Sequence, residues 1–337
     1  NLKDKEFVNK LLEMENYQEE VDRFYLEKIH PKYQCYMTNP MVAIQKEDYS
    51  DIEGQEVNYN FMQYTLNGLR SPEHEVTSEG NYVLKLDKIK NSDLPKISII
   101  TPTYNRRKLF TMALNNYENF NYPKNKIEWV IVDDSPKDED SVEDLVSFMR
   151  NVKYIRFRST EEPMTVASKR NIGVSNASHK YIVHMDDDDY YPPESILARV
   201  KILMKYKDKG IQCVGSSSIG IYNIMNQNSS IASDGDTSLS EASMGYYKDF
   251  WRERPFNEEE TKGEYRGFIF GRFEKIMDIP YAFVIIAFTH KENFTDMRKI
   301  NENMLLDKRT GKNVTFYDTF DIELQLFIND IVKLLKK

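Results

Sequence analysis

Cysteine is scarce in this chain, since only Cys35 and Cys213 occur among 337 residues. Two cysteines are too few for a disulfide framework or a cysteine zinc site, and we expect both to be packing residues. Long apolar runs are missing too, because none approaches the roughly 20 residues that cross a bilayer. No stretch at the start has the pattern of a secretory signal. We therefore predict no transmembrane segment.

An excess of basic charge is also absent. Lys and Arg number 46 against 54 Asp and Glu, which gives a formal net charge of −8 and a pI near 5.4. Nucleic-acid binders usually carry a basic face, so we expect no nucleic-acid partner. Four Asn-X-Ser/Thr sequons, two of them close to motifs discussed below, favour a compartment without N-glycosylation. A cytoplasmic location, in a bacterium or a virus-infected host cell, is the expectation.

The first 94 residues have little recognisable pattern. A helix is predicted over residues 3–30, because apolar positions recur there at three-to-four spacing between charges. Residues 82–86 (YVLKL) alternate like a short strand. The segment 90–95 (KNSDLP) is typical of a linker, and a domain boundary is expected near residue 94.

Strands and helices alternate between residues 95 and 200. Strands are predicted at 97–105, 127–132, 152–157 and 181–185, and helices at 108–120, 141–149 and 167–178. This alternation indicates a parallel sheet with right-handed crossovers, whose ligand site lies beyond the carboxyl ends of the strands. No glycine-rich phosphate loop follows the first strand, which disfavours the Rossmann and Walker nucleotide folds.

Four consecutive aspartates, Asp186 to Asp189, follow the last of these strands. Adjacent carboxylates repel one another, and oxygen-rich sites of this kind suit Mg²⁺ or Mn²⁺. Taken alone, the run fits a metal site and a solvated acidic loop equally well. Polar residues at 101–105 form the end of the first predicted strand, and Asp133-Asp134 follow the second, so three clusters meet at one sheet edge. That convergence favours the metal site.

Four sequence pieces occur in order and at fitting spacings: IITPTYN (99–105), VDDS (132–135), ASKRNIG (167–173) and MDDDD (185–189). Together they resemble the family 2 glycosyltransferases of the GT-A fold, closely over residues 96–195 and loosely over 240–295. The resemblance implies an α/β GT-A fold with a mostly parallel central sheet flanked by helices, to which the sequence pattern adds a helical or irregular N-terminal extension and a C-terminal helix. The implied divisions are an extension (1–94), a transferase domain (95–295) with nucleotide-binding (95–200) and acceptor (200–295) halves, and a C-terminal helical segment (296–337).

The resemblance also implies how a nucleotide-sugar donor is bound. The residues that it assigns to the donor site are Thr101, Pro102, Tyr104, Asp133, Asp134, Arg170, Asn171, Asp186 and Asp187. Of these, Thr101, Pro102 and Tyr104 would contact base and ribose. Asp133 or Asp134 would accept the imide N–H of uracil. Arg170 would offset charge on the leaving group, unless it is a solvated helix residue.

A metal site follows from the same resemblance. Asp186 and Asp188 form the natural Asp-X-Asp pair, and Asp187 with Asp189 is the competing register. His290, at the end of a strand predicted at 281–288, would complete the site for Mn²⁺ or Mg²⁺ unless it is an ordinary polar strand terminus. The ion would act as a Lewis acid for departure of the nucleoside diphosphate.

The proton acceptor is the least well marked part of the pattern. Inverting transfer needs a carboxylate opposite the leaving group, which in the family comes from a Gly-Glu-Asp-like motif at the start of a helix. Here Gly263-Glu264-Tyr265 matches two positions and has Tyr where Asp is expected. Glu264 is the candidate base, with Glu260 or Glu259 as alternatives. The run 258–260 would otherwise be a solvated first helical turn.

The remaining elements are predicted from pattern alone. We expect a helix at 195–206, a strand at 213–222 and a mobile Ser/Asn-rich loop at 226–240. A terminal helix capped by Asp318-Thr319 has an apolar stripe suited to core packing or to a homodimer surface rather than a membrane.

The predicted function is metal-dependent, inverting transfer of a hexose or N-acetylhexosamine from a UDP-sugar to a hydroxyl of a glycan, protein or lipid. One alternative is a nucleotidyltransferase that makes nucleotide-sugars, although its glycine-rich basic loop is missing. A second alternative is an inactive GT-A-like domain for carbohydrate binding or assembly, of which Tyr265 in the Gly-Glu-Asp-like motif would be the sign.

Overall fold

The computed structural model describes residues 48–50, 55–57, 69–76, 82–86, 88–158, 162–233, 238–261, 263–290, 305–306 and 313–336. The helix predicted at 3–30 and Cys35 lie outside this set. The chain divides into two compact units, Asn1–Leu66 and Asn67–Lys337. In the first, strands β1 (Asp48–Ser50) and β2 (Gln55–Val57) pair antiparallel. All other elements belong to the second unit, and the expected division at residue 94 stays a prediction.

The second unit alternates strands and helices. Its strands are β3 (His74–Val76), β4 (Tyr82–Leu84), β5 (Ile97–Thr103), β6 (Ile127–Asp133), β7 (Val152–Arg156), β8 (Tyr181–His184), β9 (Cys213–Gly215), β10 (Ser218–Asn223), β11 (Ser229–Ser233), β12 (Gly245–Tyr247), β13 (Ile276–Asp278), β14 (Ile286–Thr289), β15 (Leu305–Leu306) and β16 (Asn313–Val314). Its α-helices are α1 (Thr111–Asn119), α2 (Glu143–Val146), α3 (Val166–Asn176), α4 (Ser195–Lys205), α5 (Lys248–Glu253), α6 (Tyr265–Ile269) and α7 (Ile322–Leu335).

A seven-stranded sheet in the order β13-β9-β12-β8-β5-β6-β7 forms the centre of this unit. Strands β8, β5, β6 and β7 run parallel, as predicted, while β12 is antiparallel to both of its neighbours. Thr103 pairs with Asp133, and Ile100 pairs with His184. The carboxyl ends of β5, β6 and β8 therefore reach one edge of the sheet.

Continuous apolar sequence explains the central strands. Every residue of β5 is buried, and so is every residue of β6 except Glu128, as expected where both faces of a parallel sheet are covered. Trp129 of β6 stacks on Phe110 and Tyr117, with ring centroids 5.7 and 4.9 Å apart. These rings fix α1 against one face of the sheet, and α3 packs on β5 and β6.

Gly173 gives a stability prediction for the contact of α3 with the sheet. A Cβ atom at this position would lie 2.5 Å from Cγ2 of Ile100, so a larger residue must push α3 from β5. We expect Gly173→Ala to lower the free energy of unfolding by about 1–3 kcal/mol, the usual cost of overpacking. Gly267→Ala is the control, because its Cβ would meet Glu260 at an ordinary 3.4 Å. Equal denaturant midpoints for the two variants would contradict the prediction.

Two predictions for the acceptor half were wrong. The strand expected at 213–222 is two strands in different sheets, since β10 joins a three-stranded sheet ordered β11-β10-β14. The break falls at Ser216-Ser217, where the N–H and hydroxyl of Ser217 donate to Asp278 at 2.8 Å each. The mobile loop expected at 226–240 contains β11, which pairs antiparallel with β10.

Two further predictions had wrong boundaries. The strand expected at 281–288 begins late, because residues 281–283 form a 3₁₀ turn after Pro280 and β14 starts at Ile286. The terminal helix is capped by Asp321, whose carboxylate accepts from the N–H of Leu324 at 2.8 Å. Asp318 caps the preceding 3₁₀ turn with Thr315 instead.

Helix α7 covers the smaller sheet. Its buried residues Leu324, Ile328 and Ile331 pack in one apolar cluster with Tyr222 and Phe288 of that sheet. This packing confirms the core role of part of the predicted stripe. Across the residues described, no helix combines the length and hydrophobicity needed to cross a membrane.

Candidate active site

The acidic run after β8 alternates between two environments. Asp187 accepts from the hydroxyl of Thr103 at 2.5 Å, and Asp189 accepts from the N–H of Phe288 at 2.9 Å. Burial raises the pKa of Asp187 to about 7, and the charge of Asp188 adds to that rise. Asp187 and Asp189 thus fasten the run to β5 and β14, while Asp186 and Asp188 contact cationic groups and the imidazole described next.

Asp188 lies between an imidazole and a guanidinium. Its Oδ2 atom is 3.3 Å from Nε2 of His290 and 3.6 Å from Nη2 of Arg106. Burial acts to raise the pKa of Asp188, but the hydrogen bond with His290 and the charge of Arg106 outweigh it and hold that pKa below the usual value. The fold thereby brings together Asp188 and His290, which are about one hundred positions apart.

Arg170 connects Asp186 to Glu264. Its Nη2 atom donates to both oxygens of Asp186, at 2.8 and 3.1 Å, and its Nη1 atom donates to Oε1 of Glu264. The Arg170 side chain is 3% exposed, so the alternative of a solvated helix residue is wrong. Burial acts to lower the pKa of Arg170, but the charges of Asp186 and Glu264 outweigh it and raise that pKa. This cation is therefore permanently charged between two carboxylates.

Glu264 immediately precedes α6, at its N-cap position. The backbone turns into the helix at Gly263, which has a φ of +67° that favours glycine. The next residue, Tyr265, is buried, and its N–H donates to Oε1 of Glu241 at 3.0 Å. The Gly-Glu-Tyr motif thus starts a helix beside Arg170.

The alternative bases lie in a turn rather than a helix. Glu259 is exposed, and Glu260 is half-buried with a weak 3.4 Å contact from Asn257. Within the described residues, no hydrogen bond or ion pair joins either glutamate to Arg170 or to the acidic run. The interpretation of 258–260 as a first helical turn is wrong, because α6 begins only at Tyr265.

The two acids at the carboxyl end of β6, Asp133 and Asp134, are fully buried. Asp133 accepts from both the N–H and the hydroxyl of Ser135, from the hydroxyl of Tyr154 at 2.6 Å, and faces Arg156 at 3.2 Å. Asp134 is paired with Lys169, whose Nζ atom is 2.7 Å away. Both carboxylates are occupied by protein donors, and a uracil contact by either remains a prediction.

The predicted nucleoside residues differ in accessibility. Thr101 accepts from the indole N–H of Trp129 at 2.8 Å inside the core, and Pro102 is buried in β5. Tyr104 is half-exposed beyond the strand end, with Nζ of Lys169 5.5 Å from its ring centroid. Of the three, Tyr104 is the one with ring surface to offer a base.

Asn171 anchors a neighbouring segment. Its amide nitrogen donates to the carbonyl of Phe256 and to the carboxylate of Glu258, both at 2.9 Å. Its amide oxygen accepts from Trp251 at 2.9 Å and from the N–H of Phe256 at 3.0 Å. Asn171 therefore positions the chain that leads to Glu264.

A sequence profile of glycosyl transferase family 2 matches residues 98–278, more than half of the chain. The chain belongs to glycosyl transferase family 2. This confirms the family expected from the sequence, and the α/β unit with a mostly parallel sheet flanked by helices agrees with its GT-A fold.

This family 2 transferase is similar in sequence to two curated glycosyltransferases, each over part of its length. It is 31% identical over 102 residues to the poly(ribitol-phosphate) beta-N-acetylglucosaminyltransferase TarS of Staphylococcus aureus, a match covering 30% of this chain and 18% of TarS. It is 27% identical over 119 residues to the GalNAc(5)-diNAcBac-PP-undecaprenol beta-1,3-glucosyltransferase of Campylobacter jejuni, covering 35% and 36% of the two chains. The matched region thus spans well under half of either relative.

Two solved structures are similar at lower identity. TarS residues 1–349 with UDP-GlcNAc gives a TM-score of 0.44 at 17% identity, covering 59% of this chain and 60% of TarS 1–349. The mannosyltransferase PcManGT of Pyrobaculum calidifontis, with GDP-Man and Mn²⁺, gives 0.47 at 16% identity and covers 60% of each chain.

The transferase also has site residues that the sequence did not mark. Arg106 directly follows residues 103–105 (TYN), which we call the TYN turn, at the end of β5. A cation at the carboxyl end of a parallel strand could have marked it as a site residue. Glu241 stands in a serine-rich segment that gave none. Burial and the charge of Glu264 raise the pKa of Glu241 to about 7, although Arg170 opposes the shift.

His184 is fully buried beneath the start of the acidic run. Its ring nitrogens meet the carbonyl of Glu241 and the hydroxyl of Tyr246, both at 2.8 Å. Burial, helped by the charge of Arg170, lowers the pKa of His184 well below its usual value. The ring is therefore neutral and supports the start of the acidic run.

No three His, Cys, Asp or Glu side chains within the described ranges are arranged as a ready-made metal site. What the transferase offers is the Asp188–His290 pair on one side and Asp186 beside Arg170 on the other. A bound ion would therefore need further ligands from outside the protein.

Proposed function

We propose that this family 2 transferase is a metal-dependent, inverting enzyme that moves a hexose or N-acetylhexosamine from a UDP-sugar to an acceptor hydroxyl. The observation that carries the proposal is the linked cluster at the sheet edge, in which Arg170 joins Asp186 to Glu264 and Asp188 meets His290. Cations and acids in one half-buried site suit the departure of a diphosphate and the uptake of a proton.

The names of the relatives support the sugar class. TarS transfers N-acetylglucosamine and the Campylobacter protein transfers glucose. Their acceptors, poly(ribitol-phosphate) and an undecaprenol-linked glycan, support a glycan or lipid acceptor here, with a protein acceptor kept as an alternative.

The donor chemistry of the cluster fits Mn²⁺ or Mg²⁺. Asp188 and Asp186 supply carboxylate oxygens, and His290 supplies an imidazole nitrogen, which are groups that Mn²⁺ accepts. When bound, the ion supplies Lewis-acid stabilisation of the departing diphosphate. Arg106 holds Asp188 in its charged form, while Arg170 offers a second positive charge beside the donor.

A donor screen tests the proposal. UDP-sugars and GDP-sugars are incubated with the protein in Mn²⁺, in Mg²⁺ and in EDTA, and release of nucleoside diphosphate is measured. We expect hydrolysis of at least one UDP-sugar that stops in EDTA. Release of pyrophosphate from a nucleoside triphosphate and a sugar phosphate would favour the nucleotidyltransferase, and no turnover with any donor would favour the inactive domain.

The base assignment has its own test. Glu264→Gln keeps the shape of the side chain and its acceptor oxygen for Arg170, but it cannot take up a proton. We expect the transfer rate to fall by about 100-fold or more, the usual size of a general-base contribution. The Kd for the UDP-sugar should stay within about twofold. Glu260→Gln is the matched control, and a larger loss in the control would move the base to Glu260.

A further inference from the structure

A cavity of about 170 Å³ lies where the chain passes from the large sheet to the smaller one, next to the proposed reaction site. Five serines and one acid carry its polar lining, namely Ser216, Ser217, Ser218, Ser238, Ser240 and Glu241. We call it the serine pocket. It forms because the chain leaves the large sheet at Ser216-Ser217 and enters the smaller one with β10, so two sheet ends diverge here.

The serine pocket shares a wall with the proposed site. Tyr265 lines it, and the N–H of Tyr265 donates to Oε1 of Glu241 at 3.0 Å. The residue before Tyr265 is Glu264, which contacts Arg170. A molecule in the serine pocket would therefore lie one residue away from the candidate base.

The lining selects a neutral ligand. Among the residues that the structure describes, it contains no Lys or Arg, and its ionisable groups are Glu241 and Tyr265. A phosphate or carboxylate would be buried against that carboxylate without a compensating cation. Serine hydroxyls both donate and accept hydrogen bonds, which matches the hydroxyls of a sugar or polyol.

One hydroxyl of the pocket lacks a partner within the protein. Ser216 is fully buried, and its Oγ atom makes no hydrogen bond to any part of the chain that the structure describes. Buried hydroxyls are normally satisfied, because an unsatisfied one costs about 1–3 kcal/mol. A hydroxyl of a bound ligand would complete this group.

We infer that the serine pocket is the acceptor subsite of the proposed transfer, and that it takes a neutral polyhydroxy unit whose attacking hydroxyl is held by Glu241. The inference rests on the proposed function. The backbone N–H groups of Tyr265 and Glu241 donate to the Glu241 carboxylate, with Tyr265 at Oε1, and no side-chain donor of the described residues bonds to the other oxygen. That oxygen can accept from the acceptor hydroxyl while Glu264 takes its proton.

Two variants test the serine pocket. Ser216→Ala removes the hydroxyl without breaking a hydrogen bond to any described residue, so the thermal midpoint should not fall. Glu241→Gln keeps the oxygen for Tyr265 but replaces the anion. With the donor found in the screen, the KM for a neutral acceptor drawn from glucose, N-acetylglucosamine, galactose and ribitol should rise by about fivefold in Ser216→Ala. It should rise by about tenfold or more in Glu241→Gln when measured at about pH 8, above the Glu241 pKa of about 7, as for a charge-assisted bond.

Ser175→Ala is the control, because Ser175 is an exposed serine on α3. Unchanged acceptor KM in both test variants would overturn the inference, as would an altered donor KM. A fall in kcat alone for Glu241→Gln would also overturn it and would transfer the base role to Glu241. Preference of the wild-type protein for glucose 6-phosphate over glucose would contradict the neutral-ligand argument.

A binding measurement separates this inference from the proposed function. Saturation-transfer NMR detects glucose, galactose or ribitol on the protein without a donor or any turnover. Binding that weakens in Ser216→Ala supports the pocket even if no donor is hydrolysed, in which case only the transferase proposal fails. Hydrolysis of a UDP-sugar without any sugar or polyol binding at the pocket sinks the inference alone.

Discussion

Replacing Arg170 with methionine is expected to leave the protein both destabilised and inactive. Methionine keeps much of the length of the side chain but removes the charge between Asp186 and Glu264, which are 25% and 9% exposed. Breaking a buried pair leaves an uncompensated carboxylate and typically costs about 3–5 kcal/mol. Urea unfolding should show a loss of this size, and nucleoside diphosphate release should fall to background.

Arg107→Met is the matched control for this prediction. Arg107 forms a bidentate pair with Asp144, but these side chains are 36% and 65% exposed. Exposed pairs contribute about 0–1 kcal/mol, so the control should remain stable and active. Equal losses in the two variants would contradict the assigned role of Arg170.

A double variant separates charge from packing. Glu264→Gln in the Arg170→Met background neutralises one of the two unpaired carboxylates. If charge is the cause, the double variant should recover part of the lost stability, since residues in one ion-pair network are coupled. Recovery of stability without recovery of activity is the expected result, because the cation proposed to act on the donor is still missing.

The central sheet could be predicted from the sequence for a simple reason. Strands β5 and β6 are buried on both faces, so their apolar runs are continuous and their polar residues mark the strand ends. Sequence pattern alone therefore places the acidic run and the TYN turn at one edge of the sheet. The division between β9 and β10 was not predictable, since it depends on hydrogen bonds from Ser217 to Asp278 of β13, a carboxylate that is distant in sequence.

The sequence alone also does not determine the register of the acidic run, that is, which pair of its four aspartates faces the site. Four identical residues carry no internal signal for which pair faces the site. Their directions depend on Thr103 and on the N–H of Phe288, partners supplied by β5 and β14. The same holds for Glu241, because a serine-rich stretch has the composition of a loop whether or not it lines a pocket.

The second prediction with a large expected effect concerns Asp188 and the register of the acidic run. Asp188→Asn should abolish metal-dependent turnover, because Asp188 is the carboxylate beside His290 and Arg106. Changes even to groups around a metal ligand cost about 10–100-fold in affinity or activity, so loss of a proposed ligand should cost at least 100-fold. Calorimetry with UDP should show that the Mn²⁺-dependent part of binding is lost as well.

Asp189→Asn is the control that makes this prediction decisive. Asp189 lies one position away and carries the same charge, but its Oδ1 atom accepts from the N–H of Phe288, a bond that an asparagine oxygen can also make. Net charge and sequence neighbourhood are therefore matched between the two variants. If Asp189→Asn retains turnover and Asp188→Asn does not, the ion is held by the Asp186–Asp188 register. The opposite result would assign it to Asp187 and Asp189, and the hydrogen bonds from Thr103 and Phe288 would then have to break for the ion to bind.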